Sequence, residues 1–391
     1  MERAMRHFTL DEKLAQSGNR PTGFDYMRIG LSLAVVAMHS VITSHGVAAE
    51  IPLWTSPLRP YMRAILPMFF ALSGFLVAGS LLRTPALSQF LGLRAIRVYP
   101  ALVVEVFLSA LVLGPLLTTL PLTAYFSDPV FRLYLLNVTG HIHFLLPGLF
   151  HDNPFPDTVN AQLWTVPYEL ICYIGLSALT LVGLRKRPWI APAAVVAFSL
   201  VYLAARLIRH HGELPFILGG IPGSVLVISF LAGVSIFFYR DRLPWSLPLC
   251  VLSGVATALL LSVVPFGDYV VAPVAAYFTV ALGVTNPRKL RFLQGADYSY
   301  GIYLYGFVIQ QTLMAIFPWA RIWWLNILLS VPAAALFAAC SWHWVEKPAL
   351  ELRRYLVPRG KGAKTLQPEH SEAKPILQPV EPAVLPGRQT L

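Results

Sequence analysis

Arg28 and His39 stand eleven residues apart in an otherwise apolar stretch, YMRIGLSLAVVAMHS, from Tyr26 to Ser40. As a helix, eleven residues turn through about 1100° and rise about 16 Å, which puts both side chains on one face. A guanidinium fork suits bidentate binding of phosphate. An imidazole can take or return a proton, or attack a carbonyl carbon. An ionisable side chain within an apolar span is costly and marks a functional site by default. The plainer alternatives are a histidine hydrogen-bonded inside a helix bundle and an arginine reaching out to headgroups.

Two further groups join this pair. LRAIRVYP, Leu93–Pro100, carries Arg94 and Arg97 three residues apart on one helical face. VNAQLWTVPYEL, Val159–Leu170, carries Glu169 a short way into an apolar run. Its expected depth matches that of His39, and a carboxylate there could fix the imidazole's tautomer and raise its basicity. The alternatives are lipid contact and topology for the arginines, and a purely structural pairing for Glu169. Glu105, on the expected third span, reads as structural.

The elements that must position these groups are membrane helices. The 391 residues are 56% hydrophobic and only 13% charged, against about 25% charged in a soluble domain. Several apolar runs reach roughly 18 residues, long enough to cross a bilayer core. The fold class is therefore all-α: a polytopic membrane protein of about ten transmembrane helices. The spans are expected near 26–44, 64–82, 98–120, 163–183, 189–207, 215–239, 245–264, 268–284, 298–317 and 322–345.

With both termini cytoplasmic, all of the 30 lysines and arginines except Arg59, Arg63, Arg132, Arg206, Arg209 and Arg321 fall on the cytoplasmic side. That asymmetry fits the positive-inside rule. It also places Arg28, Arg94 and Arg97 at one cytoplasmic membrane boundary. The net charge of +11 then reports topology and anionic lipid, not nucleic acid. No removable signal peptide is expected, because residues 1–22 lack an apolar core segment. Cys172, Cys250 and Cys340 all lie in apolar spans and suggest neither a disulfide framework nor a zinc site.

Three regions follow: a cytoplasmic N-terminal segment (1–22), a transmembrane domain (23–350) and a Pro-rich cytoplasmic tail (351–391) expected to be disordered. Residues 121–162 form a long outer loop with a partly apolar middle. His141, His143, His151 and Asp152 in this loop lack regular ligand spacing, and no metal is expected. Asn137-Val138-Thr139 fits a glycosylation acceptor.

Several of these pieces together resemble the membrane-bound acyltransferase-3 family. They are Arg28 and His39, FFALSGFL (Phe69–Leu76), Arg94 and Arg97, LWTVPYEL, DYSYGIYLYGF (Asp297–Phe307) and WVEKPAL (Trp344–Leu350), in the family's order. The resemblance implies transfer of an acyl group, usually acetyl, from cytoplasmic acyl-CoA to an extracytoplasmic hydroxyl. The acceptor is commonly a sugar of a surface or exported polysaccharide, and the setting a bacterial inner membrane. The sequence looks more like the short exopolysaccharide-modifying branch, and departs from many relatives in carrying one acidic residue, Glu169, where they carry two.

On that reading Arg28, Arg94 and Arg97 hold the CoA phosphates, and His39 is general base or transient acyl carrier with Glu169 beside it. Asn160 and Trp164 stand at the acceptor entrance. The competing classes are a proton-coupled secondary transporter and a lipid-binding or assembly subunit. The acceptor glycan, acetyl against succinyl, and the oligomeric state stay open.

Overall fold

The structure is a computed structural model and describes residues 8–290 and 295–356. Most of the expected tail lies outside the described residues. The chain folds as a helical bundle, with ten helices where apolar spans were expected. They are α1 (Thr22–His45), α2 (Arg59–Arg83), α3 (Leu87–Leu108), α4 (Val166–Leu181) and α5 (Ile190–Arg209), then α6 (Gly223–Phe238), α7 (Leu247–Val263), α8 (Ala272–Gly283), α9 (Ser299–Ile316) and α10 (Trp323–Ser341).

Among the described residues, five continuous helices are long and apolar enough to cross a bilayer by length and composition: α1, α2, α5, and α3 and α10 with their C-terminal extensions. α6, α7 and α8 are shorter apolar helices; α8, at 12 residues, rises only about 18 Å. α5 shows what faces lipid: Val196, Leu200, Val201 and Ile208 are all exposed. A helix apolar on its outward face needs a hydrocarbon solvent.

α2 and α6 form the tightest crossing. Gly74 lies against the Phe230 carbonyl, and Gly233 against that of Ala71, so that a Cβ at either would collide with backbone. Small residues let membrane helices approach this closely, and dispersion between backbones then holds them together. α9 packs between α1 and α10.

α3 begins at Leu87, eleven residues before the expected start, so Arg94 and Arg97 lie inside the helix. Helical periodicity continues through Phe90 and Ala95, and the guanidinium groups find partners there, which removes the reason to end the helix. Beyond Leu108 the helix passes through a π-helical turn, Ser109–Leu113. α10 does the same at Trp342–Glu346. Such turns insert an extra residue and re-aim side chains.

Residues 121–162, expected as an outer loop with a partly apolar middle, form a folded cap. Two short helices, Leu122–Ser127 and Pro129–Leu135, bury Tyr125, Phe131 and Tyr134 against Ala101, Leu102 and Val106 of α3. Gln311 of α9 pins the cap by donating to the carbonyls of Phe155 and Thr158, both at 2.7 Å. Asn137 is 0% exposed and bonds both backbone groups of His143. It closes the cap and cannot present itself as a glycosylation acceptor.

The N-terminal segment is also ordered where it is described. Thr9 and Glu12 form a capping box on a short helix, Leu10–Ala15. Leu10 and Leu14 join the main core, and Phe8–Thr9 pairs antiparallel with Pro244–Trp245.

Candidate functional site

A cavity of about 140 Å³ opens among α1, α2, α3, α4 and α9. Arg28, Arg94 and Arg97 line it together with Glu169 and Gln162. Apolar walls come from Leu66, Phe69, Phe70 and Leu76, and polar ones from Ser73, Tyr173, Ser299 and Tyr303. Five separate segments of the chain thus contribute to one concave, mostly apolar site with a few convergent polar groups, the usual form of a small-molecule pocket.

The three arginines differ in what holds them. Arg28 pairs with Asp25 at 2.7 Å and with Asp297 at 3.2 Å. Arg97 pairs with the same Asp297 at 2.8 Å and with Glu346 at 2.6 Å. Glu346 reaches Arg97 from the π-helical turn after α10, and Ser341 donates to its other oxygen at 3.1 Å. Lys289 completes the chain of charges at Asp25, 2.5 Å away. Asp297, just ahead of α9, accepts from the Ser299 hydroxyl at 2.6 Å. Burial alone would raise its carboxyl, but Arg28 and Arg97 outweigh that and hold it well below the usual carboxylate range.

Arg94 stands apart. Its guanidinium donates to the Ser80 hydroxyl at 3.2 Å, and its Nε is buried with no partner. Among the described residues no carboxylate lies within ion-pairing distance of it. Arg28 likewise keeps a buried, unpartnered Nε. The cluster thus keeps buried donors without partners on residues that line a cavity, and a guanidinium of that kind suits an anion.

His39 is half-buried in α1 and does not itself line the cavity. Its ring meets Phe307 edge-on, with centroids 5.2 Å apart. Its Nδ1 lies 3.3 Å from Nε2 of Gln162, which does line the cavity. Glu169 also lines the cavity, but its carboxylate is hydrogen-bonded by the Tyr173 hydroxyl one helical turn away. The structure therefore puts Gln162, not Glu169, on the imidazole.

The two residues expected at the acceptor entrance each have partners of their own. Asn160 is 0% exposed; its amide donates to Glu105 and to the Leu304 carbonyl, both at 2.9 Å. Trp164 packs edge-on against Tyr168, centroids 5.7 Å apart. Neither lines the cavity. Asp25, Gln162, Asp297 and Glu346 went unassigned in the sequence reading. Three of them lie inside the quoted motifs, where residue type alone does not tell a site group from a helix cap.

Against known proteins, residues 22–343 match an acyltransferase domain. The chain belongs to the acyltransferase-3 family. A Nodulation protein 10 of Rhizobium leguminosarum bv. viciae is 29% identical over 88% of this chain and 96% of its own length. An O-acetyl transferase of Shigella phage Sf6 is 26% identical over 72% of this chain and 82% of its own. No solved structure matches. Membership makes the chain a membrane-bound acyltransferase and sets aside the carrier and assembly-subunit readings.

Proposed function

We propose that this acyltransferase moves an acetyl group from cytoplasmic acetyl-CoA to a hydroxyl of an extracytoplasmic or lipid-linked surface polysaccharide. The observation that carries the reading is the cavity itself, with arginines at one part of its wall and Gln162, bonded to His39, at another. The name of the Shigella phage Sf6 relative supports acetyl as the group and oxygen as the atom acylated. Ten crossings of a bacterial inner membrane, with both termini cytoplasmic, accord with the distribution of Lys and Arg.

In this reading Arg94, with the unused Nε of Arg28 and with Arg97 beside them, holds the donor's phosphates at the cytoplasmic mouth. The apolar wall of Leu66, Phe69, Phe70 and Leu76 takes the neutral pantetheine arm. His39 serves the transfer as general base or as transient acyl carrier. Glu169, held by Tyr173, adds a carboxyl group to the same cavity wall. Asn160 supports the site by bonding Glu105 to the Leu304 backbone, and Trp164 by packing.

Transfer of radiolabelled acetyl from acetyl-CoA to surface glycan tests this, in membranes holding equal amounts of wild type or His39→Ala. Label moved by wild type and lost in the variant is the expected result. Equal transfer by both removes His39 from the chemistry. Transfer from succinyl-CoA instead of acetyl-CoA would replace the donor.

A further inference from the structure

Gln162 is fully buried, and both ends of its amide meet a partner of fixed chemistry. Its Oε1 accepts from the backbone N–H of Phe307 at 3.3 Å. That N–H can only donate, so the oxygen end of the amide belongs there and the NH2 end faces His39 Nδ1, 3.3 Å away. The amide nitrogen also only donates. His39 Nδ1 must then be the acceptor, and the single proton of the neutral ring resides on Nε2. Gly306 beside the amide lets α1 and α9 close up: a Cβ there would collide with Val36 Cγ2 at 2.6 Å while touching Gln162 Nε2 only at an ordinary 3.7 Å.

We infer that Gln162 is a positioning residue of the acyl transfer, holding neutral His39 as the Nε2–H tautomer with its Nδ1 lone pair turned toward the cavity wall. This rests on the reading of His39 as the group that serves the transfer. Nδ1 is then the reactive nitrogen. The acceptor's O–H bond breaks, its proton goes to Nδ1, and its oxygen bonds to the thioester carbonyl carbon. The C–S bond then breaks, and the leaving thiolate recovers the proton from the imidazolium. A covalent route would begin at the same lone pair. At 3.3 Å the Gln162 contact is a long hydrogen bond, weak enough for an incoming hydroxyl to displace.

The test reads the proton directly. Full-length protein with ¹⁵N-labelled histidine is studied by NMR in lipid nanodiscs, with His39→Ala used to assign the His39 signal. Wild type is expected to show a protonated Nε2 and a bare Nδ1. Gln162→Glu keeps an oxygen for Phe307 N–H but offers His39 a second acceptor, so the proton should move to Nδ1. Its kcat should fall by about 10²-fold or more, while KM for acetyl-CoA stays close to wild type, the pattern of a lost transition-state contribution. Gln162→Met, similar in length but without an amide, should give both tautomers and an intermediate kcat.

A bare Nε2 in wild type overturns the inference, whatever the variants do. So does Gln162→Glu turning over at the wild-type rate with its proton moved. If His39→Ala still transfers acetyl, the role of His39 falls, while the NMR result decides the tautomer independently.

Discussion

Two clusters of arginine and carboxylate are built into opposite ends of the bundle, and they differ in what surrounds their guanidinium groups. At the start of α2, Arg59, Arg63 and Asp268 are 5%, 0% and 1% exposed. Arg63 pairs with Asp268 at 2.5 Å and donates to the carbonyls of Ile217 and Gly219. Arg59 donates to those of Leu261, Trp54 and Ile217. These guanidinium groups tie the segment around Ile217 to the bundle. At the other end, Arg28 and Arg97 share Asp25, Asp297 and Glu346, Arg94 donates to the Ser80 hydroxyl, and all three line a cavity. Buried nitrogens without partners occur in both clusters, so it is the cavity that distinguishes them. The first cluster is a clamp; in the function proposed above, the second takes the donor's phosphates. Residue type does not separate them; the difference lies in how many carbonyls reach each guanidinium, and whether space remains beside it.

The comparison can be broken most severely at the clamp. Asp268→Asn leaves two buried cations without a counter-ion, at a cost of about 3–5 kcal/mol. A collapse in the folded, monodisperse fraction after detergent extraction is expected, and wild-type recovery and melting would refute the clamp. Arg94→Ala should act quite differently. It should leave melting near wild type and weaken donor binding by about 10- to 100-fold, the loss of one or two charge-assisted hydrogen bonds, as read by titration with coenzyme A. Unchanged affinity would remove Arg94 from the anion site.

Glu346→Gln sharpens the contrast from the other side. It frees one fork of Arg97 while Asp297 still holds the second, so coenzyme A affinity should rise, by up to about tenfold, as stability slips modestly. A fall in affinity would mean that Glu346 aligns Arg97 for the ligand. Lys289→Ala, at the exposed edge of the same network, should change melting by less than about 1 kcal/mol. A larger loss would make Asp25 a second clamp.

Much of this was legible before any coordinates. The apolar runs announced helices because a bilayer tolerates backbone only where its hydrogen bonds close locally. Arg28, Arg94 and Arg97 stood out because charge is costly there, and the structure does gather them with Glu169 around one cavity. The π-helical turn that aims Glu346 at Arg97 was illegible, since the phase shift of about 100° from one extra residue cannot be read in a helix apolar on nearly every side. The packing of residues 121–162 was hidden because its core is closed by α9, which is remote in sequence.

By itself, then, the sequence determined the fold class, the family motifs and the side chains too costly to be accidental, since each follows from local composition and the solvent it implies. Only the tertiary structure decided partners. Glu169 turned to Tyr173 while Gln162 turned to His39, and Asn160 was drawn into the interior by Glu105. Those choices depend on distances of a few ångströms between separate helices, and helix depth alone places a side chain along the membrane normal without saying which neighbour it faces.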